Sequence, residues 1–258
     1  MLVRFPHVIP GDEIRVSATT YVTWKKCPDS ANARLQGKYG PESRASFLGN
    51  LAHRVFSRHL ESGEIPAGEF DAVCKEEIGR SGLNYKMAEL GMKPSSLTSV
   101  IEEVRGLYER FVKLPGEGFE GSEELIEHHA DGDVVLVGKL DAVFREELGG
   151  HRLVDWKTGE IADADDQLAF YSLLWALDRD ELPAFVEAVS VKTGERYHTV
   201  PSTPDVQGVC DEVGRMVDQM RRGWEADSPL PRHGGPWCRY CPILDECPEG
   251  QATAALLD

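Results

Sequence analysis

The sequence predicts an α/β protein in which a mixed β-sheet is flanked by helices, preceded by a largely helical stretch and closed by a small cysteine-bound cap. Three observations carry this expectation. Through the first half, apolar residues recur at three- and four-residue intervals, the spacing of amphipathic helix faces. Near residue 122 the pattern changes to short β-rich runs separated by glycine turn signals. Finally, three of the six cysteines crowd into the C-terminal segment PLPRHGGPWCRYCPILDECPEG.

The elements follow in order. Ser17 is a natural N-cap for a helix carrying Tyr21, Trp24 and Leu35, and the Cys27-Pro28 step interrupts that helix because proline has no amide to give an interior turn. Residues 44 to 61 predict a clearer helix, with Leu48, Leu51 and Val55 on one stripe and Ala52, Phe56 and Leu60 beside it. Two more helices are expected over about 68 to 80 and 95 to 113, the second lined by Val100, Val104, Leu107 and Phe111. Strands are expected over 123 to 129, 133 to 145, 151 to 157, 184 to 192 and 195 to 200, with hairpin turns at Gly149-Gly150 and Thr193-Gly194. Between them, a helix over about 164 to 179 starts in an acidic segment (Asp163, Asp165, Asp166) that suits the positive end of the helix dipole. A last helix covers about 204 to 224, and the segment PLPRHGGPWCRYCPILDECPEG reads as loop. The expectation is one domain in three parts: a mostly helical 1–121, a sheet core 122–203, and a C-terminal helix with its cap, 204–258.

Composition bounds the function classes. Hydrophobic content of 41% beside 28% charge is that of a globular protein, and no run approaches the roughly 20 apolar residues of a membrane span. Pro6, Pro10, Asp12 and Glu13 break the opening segment where a secretion signal needs an apolar run. A cytoplasmic location is therefore expected, with reduced thiols and no membrane partner. The net charge of −16 opposes nucleic-acid binding at face value. From Trp24 to Arg58, however, seven basic residues stand against two acidic ones, a local balance of +5 that leaves −21 for the rest. Lys25, Lys26, Arg54 and Arg58 could attract a polyanion there, or form an ordinary solvated face.

The run LVDWKTG places Asp155 and Lys157 two positions apart on a strand, so both side chains leave the same face. A carboxylate so placed can hold a divalent cation while the ammonium orients a water or offsets phosphate charge. Alone, such a triplet reads as readily as a surface salt bridge. Asp141 changes the balance. It interrupts the apolar run VVLVGKLDAVF, where an unpaired acid is costly, and the Gly-Gly turn makes its strand the antiparallel neighbour of the Asp155 strand. Both carboxylates could then converge on one cation; the alternative is a structural acid paired with Lys139.

GNLAHRVF (49 to 56), GKLDAVF (138 to 144), VDWKTG (154 to 159) and QLAFY (167 to 171) resemble, in order, the successive motifs of the RecB-type branch of the PD-(D/E)XK nuclease superfamily. SATTYVTWKKCP resembles that family's opening helix ending in Cys-Pro. The resemblance implies a restriction-endonuclease-like fold and a metal-dependent DNA exonuclease. It assigns catalytic roles to His53, Asp141, Asp155, Lys157, Gln167 and Tyr171, with His53, Asp141, Asp155 and the Trp156 carbonyl holding Mg2+ or Mn2+. The residues agree with it. His53 follows Gly49 by one helical turn, so the bare glycine leaves space beside the imidazole; Gln167 and Tyr171 share a helix face that could meet DNA, or simply pack on the sheet. Glu127, on the preceding strand, is a weaker candidate for a supplementary acid.

Cys238, Cys241 and Cys247 form C-x2-C-x5-C, one thiolate short of a tetrahedral site, and Cys27 supplies the fourth if the chain ends meet. This arrangement resembles the 4Fe-4S cluster of AddB-type and CRISPR-associated nucleases; a four-cysteine zinc site satisfies the same spacing. Cys74 and Cys210 lack such spacing and read as small core residues. The functional expectation is therefore an exonuclease acting on single-stranded DNA or DNA ends, in recombination, repair, phage or CRISPR-related processing. Helicase, recombination or CRISPR-adaptation proteins are the partners implied. The alternative is a non-catalytic DNA-binding adaptor of the same fold. There is no G-x-x-x-x-G-K-[ST] phosphate loop, hence no sign of an ATP-driven motor.

Overall fold

Proline and serine punctuate the N-terminal half as their chemistry requires. In the computed structural model, which describes residues 2–162 and 164–257, strand β1 (Ile14–Ser17) passes directly into helix α1 (Ala18–Lys26), whose N-cap Ser17 accepts from the Thr20 amide. Cys27 is the joint between α1 and α2 (Pro28–Leu35): it is extended at φ −158° and ψ 105°, because the Pro28 ring disfavours helical backbone at the preceding residue. Ser43 caps α3 (Arg44–Ser62) in the same manner as Ser17 caps α1. Three helices complete this half: α4 (Phe70–Arg80), α5 (Leu83–Glu89) and α6 (Pro94–Phe111).

The sheet then forms from β2 (Phe119–Ala130), β3 (Val134–Arg145), β4 (His151–Lys157), β5 (Phe185–Ser190) and β6 (Arg196–Thr199), with α7 (Ala164–Arg179) between β4 and β5 and α8 (Thr203–Glu225) after β6. Glycines at φ 92° and 85° (Gly149, Gly150) close the β3–β4 hairpin, and Gly194 at φ 78° closes β5–β6. Because β4 and β5 are parallel, the chain must cross over between them, and α7 is that crossover. Asp163, expected at its start, lies outside the described residues.

The twelve-residue β3 organises the sheet. One edge pairs antiparallel with β2 along its length. The other edge is shared: Val134–Val137 pair in parallel with β1, and Ala142–Arg145 pair antiparallel with β4. Among the described residues, positions 138 to 141 pair with neither, so the sheet is forked there. At the same level the side-chain alternation slips by one. On β2, Ser122 bonds Ser57 of α3 while Glu124 pairs with Arg179 of α7, on the opposite face, and between them Glu123 adopts φ 54°.

Two apolar cores cover the two faces. One joins α1, α7 and α8 to the sheet through Tyr21, Leu136, Phe170, Leu174 and Met220. The other joins α3, α4 and α6 to it through Leu51, Phe56, Phe111, Phe144 and Trp156. Cys74 and Cys210 are buried, one in each core, and burial pushes both thiols up to about 12.

Five elements lie where the sequence pattern predicts none. β1 has four residues and α5 seven, too few for a period to show. The C-terminal segment, predicted as loop, contains two 3-10 turns (Pro236–Tyr240, Leu244–Glu246) and then helix α9 (Pro248–Leu257). The small residues of QATAA give that helix no apolar stripe to read. No helix among the described residues is long and apolar enough to cross a membrane.

Gly138 sits at the fork against α7, where an added Cβ would lie 2.6 Å from Leu174 Cδ2, itself fully buried. Gly138→Ala is expected to destabilise by about 1–3 kcal/mol, read as a lower urea midpoint with unchanged slope.

Candidate active site

The fork in β3 exposes backbone that a sheet would otherwise occupy, and Asp141 fills it. Where the β3–β4 ladder ends at Ala142 and Val154, the Trp156 amide donates 2.8 Å to Asp141 Oδ2, a side chain taking the place of a strand carbonyl. Trp156 itself points to the α3–α6 face, edge-on to Phe111 with ring centroids 5.1 Å apart. Its neighbours Asp155 and Lys157 therefore leave the other face, toward α7, as strand alternation requires.

Asp155 is 5% exposed. Gln167, in the first turns of α7, donates from Nε2 to Asp155 Oδ1 at 2.9 Å and to the Tyr171 hydroxyl at 2.9 Å, while its Oε1 accepts from Lys157 Nζ at 2.6 Å. The two charges decide which way this amide points, carbonyl to the ammonium and NH2 to the carboxylate. Lys157 Nζ also lies 2.7 Å from Asp155 Oδ2, so the ammonium meets the second, enclosed oxygen of the acid. Gln167 and Tyr171 thus brace the acid and the lysine from within.

His53 reaches the cleft from α3. Its Nδ1 is 3.1 Å from Asp141 Oδ1. Burial lowers the imidazole's proton affinity, but the Asp141 carboxylate, with Asp155 and Glu123 beyond it, outweighs this and raises its pKa to about 8. Asp155 is also raised, to about 6, first by burial and then by the Asp141 charge, against Lys157 and His53. Burial, with the same two aspartates, holds the Tyr171 phenol well above its usual range. Gly49 serves a different neighbour from the one expected: the atom nearest to a Cβ there is Thr158 Oγ1, at 3.4 Å, so the bare glycine admits the loop after β4.

These side chains line one cleft of about 590 Å3, together with Glu123, Lys139 and Arg54. Lys139 does not pair with Asp141; it and Arg54 both pair with Glu123, the latter at 2.9 Å. Ligand atoms of His53, Glu123 and Asp141 lie within 4.8 Å of one another. One imidazole nitrogen and two carboxylates suit a hard divalent cation such as Mg2+ or Mn2+; Asp155, expected as a ligand, is not one of that trio and has its Oδ2 against Lys157. The acid that β2 contributes is Glu123. Glu127, the sequence candidate, pairs with Arg15 outside the cleft. The signal that distinguishes Glu123 is its left-handed backbone, which the sequence does not display.

Of the basic segment, Lys25 pairs with Asp166 and Glu212, Arg54 with Glu123 and Arg58 with Glu77, so much of its charge is met by carboxylates from elsewhere in the fold. Lys26 lies over the Trp237 ring, 5.9 Å from its centroid.

The cysteine cap docks on the first turn of α2. The Asp29 amide donates to the Pro231 carbonyl, its carboxylate meets Arg232 at 2.7 Å, and Cys241 Sγ is 3.5 Å from Ser30 Oγ. Cys27, Cys238 and Cys247 are buried and Cys241 half-buried, all without disulfides. Cys238 Sγ accepts from the Gly235 amide and Cys247 Sγ from the Gly250 amide.

The model of the PD-(D/E)XK nuclease superfamily matches residues 15–248 of the sequence. Among solved structures, a protein from Eubacterium rectale described as a "Putative exonuclease" aligns with a TM-score of 0.55 and 14% identity, over 89% of this chain and 86% of that one. SSO0001 aligns with a TM-score of 0.41 and 16% identity, over 94% and 88%. The first likeness shows a shared fold. No curated protein matches.

The two raised pKa values set a pH dependence. The folded chain binds the Asp155 proton more tightly than the unfolded chain, so the associated stability is complete below about pH 4 and lost as pH rises through about 6. The His53 contribution is intact below about pH 6.5 and lost through about 8. In chelator, Asp155→Asn should gain on the order of 1–3 kcal/mol relative to the native chain between pH 4 and pH 7 in urea titrations. A difference that stays constant over that range would contradict the assignment.

Proposed function

From the premise that this chain belongs to the PD-(D/E)XK nuclease superfamily and shares its restriction-endonuclease-like sheet flanked by helices, we propose a RecB-type, metal-dependent exonuclease that hydrolyses DNA phosphodiester bonds, on single strands or at ends. The observation that carries this reading is the gathering of His53, Asp141, Asp155 and Lys157 on one cleft.

Mg2+ or Mn2+ held by Asp141 and His53, with Glu123 in reach and with Asp155 and the Trp156 carbonyl as the resemblance implies, would polarise the scissile phosphate and offset its growing charge. The remaining roles belong to the chain. Lys157, fixed from two sides by Asp155 and Gln167, presents its ammonium to orient the attacking water and to neutralise phosphate charge. Gln167 holds both partners at hydrogen-bond distance, which fixes the lysine rather than leaving it to sample rotamers. Tyr171 closes the cleft behind Gln167. His53, carrying a proton at neutral pH without the ion, balances the paired acids until the site is loaded. Lys139 and Arg54, anchored on Glu123, line the cleft wall where phosphates would pass.

We further propose that Cys27, Cys238, Cys241 and Cys247 hold a 4Fe-4S cluster. Support comes from the docking of the cap on α2 and from the amide-to-sulfur hydrogen bonds at Cys238 and Cys247, the latter opposing the burial that raises the Cys247 thiol. A four-cysteine zinc site remains the alternative that the same thiolates suit. The cluster would clip together distant parts of the chain, a constraint worth about 5 kcal/mol by loop-closure entropy.

Two experiments test these readings. With Mn2+ and end-labelled single strands, the native protein should degrade DNA, and Asp155→Ala or Lys157→Ala should lower the rate at least about a hundredfold. Absence of metal-dependent cleavage by the native protein would favour a DNA-binding adaptor. Anaerobically purified protein should be brown with absorbance near roughly 400 nm, lost in Cys27→Ser; a colourless protein containing one zinc would refute the cluster.

A further inference from the structure

A second groove, of about 300 Å3, opens from the catalytic cleft and shares Ala18, Thr19 and Gln167 with it. Its floor is the face of α1 bearing Thr19, Thr23 and Lys26, continued by Arg34 of α2; its opposite wall is the cysteine cap, through Trp237 and Tyr240. Two properties set it apart. In a chain with 44 acidic residues, no carboxylate lines it among the described residues, whereas Glu123, Asp141, Asp155 and Glu160 line the cleft it leaves. It also displays aromatic rings: Tyr240 is 69% exposed, and half-buried Trp237 is held in place by the bond from its Nε1 to the His233 carbonyl. The Tyr240 backbone, in turn, packs directly on Gly40, so the wall is fixed to the segment after α2.

Local positive charge beside exposed rings, continuous with a phosphodiester-cutting cleft, is the chemistry that receives an unpaired polynucleotide: cations take the phosphates and rings take the bases. A duplex keeps its base faces stacked inside and offers these rings nothing. Resting on the nuclease reading above, we propose that this groove binds a single strand on its way to or from the cleft, with bases stacked on Tyr240 and on Trp237, whose ring Lys26 overlies, and phosphates near Arg34. The cap is then part of the substrate-binding surface as well as a brace, and the preference for unpaired strands resides in it.

Binding in chelator tests this without requiring cleavage, so a failed nuclease assay and a failed groove remain distinguishable. Fluorescein-labelled oligothymidylate of about twelve nucleotides, followed by anisotropy, should bind the native protein at least about tenfold more tightly than a blunt duplex of equal length. Trp237→Ala with Tyr240→Ala should weaken single-strand binding at least about tenfold, while Trp237→Phe, which keeps a ring, should stay within about threefold of native. Arg34→Ala should reduce the salt dependence of binding. Duplex bound as tightly as single strand, native-like affinity in the double alanine variant, or a loss in Trp237→Phe equal to that in the alanine variant would each overturn the proposal. Thermal melts separate a loosened cap from a lost ring: an alanine variant that binds weakly yet melts with the native chain has lost the ring and not the cap.

Discussion

Two carboxylates are enclosed where a β-sheet divides, and the surrounding structure answers to that constraint. Asp141 sits at the point where β3 has left β1 and has not yet met β4, and its carboxylate stands in for the missing strand by accepting the Trp156 amide. That bond holds Asp141 beside the strand carrying Asp155. Burial penalises the Asp155 charge and the neighbouring Asp141 carboxylate adds to that penalty, so its proton affinity is raised.

The elements around the fork supply the answering groups from both faces. α3 brings His53 to Asp141, and β4 itself brings Lys157 to Asp155. From the other face α7 brings Gln167, whose amide bonds the acid, the lysine and the tyrosine at once. The buried indole of Trp156 anchors the same strand in the opposite core, so the acid and lysine cannot rotate away without breaking apolar packing. Without a metal, these interactions leave protonation shifted; the divalent ion proposed for the site would offset the paired acids.

Much of this was legible in the sequence, for identifiable reasons. Asp155 and Lys157 share a face because strand alternation has period two, and Asp141 stood out because an acid in an apolar run needs a partner. The Gly-Gly turn placed the two strands side by side. Glu123 was not legible: β2 carries several acids, and only a left-handed backbone and the slip in alternation turn this one toward the cleft. The basic segment illustrates a second limit. Its charge balance is a sum over a stretch of sequence, whereas Glu77, Asp166 and Glu212, which meet it in the fold, come from three other elements. The aromatic groove assembles from α1, α2 and a cap roughly two hundred residues further along the chain, so no local pattern announces it.

Location of the ion is the most direct test of the central claim. Anomalous diffraction from crystals soaked in Mn2+ should place one strong peak in the fork, about 2–2.3 Å from carboxylate oxygens of both Asp141 and Asp155. A peak that contacts only one of the two acids, or manganese bound solely at the protein surface, would contradict the account.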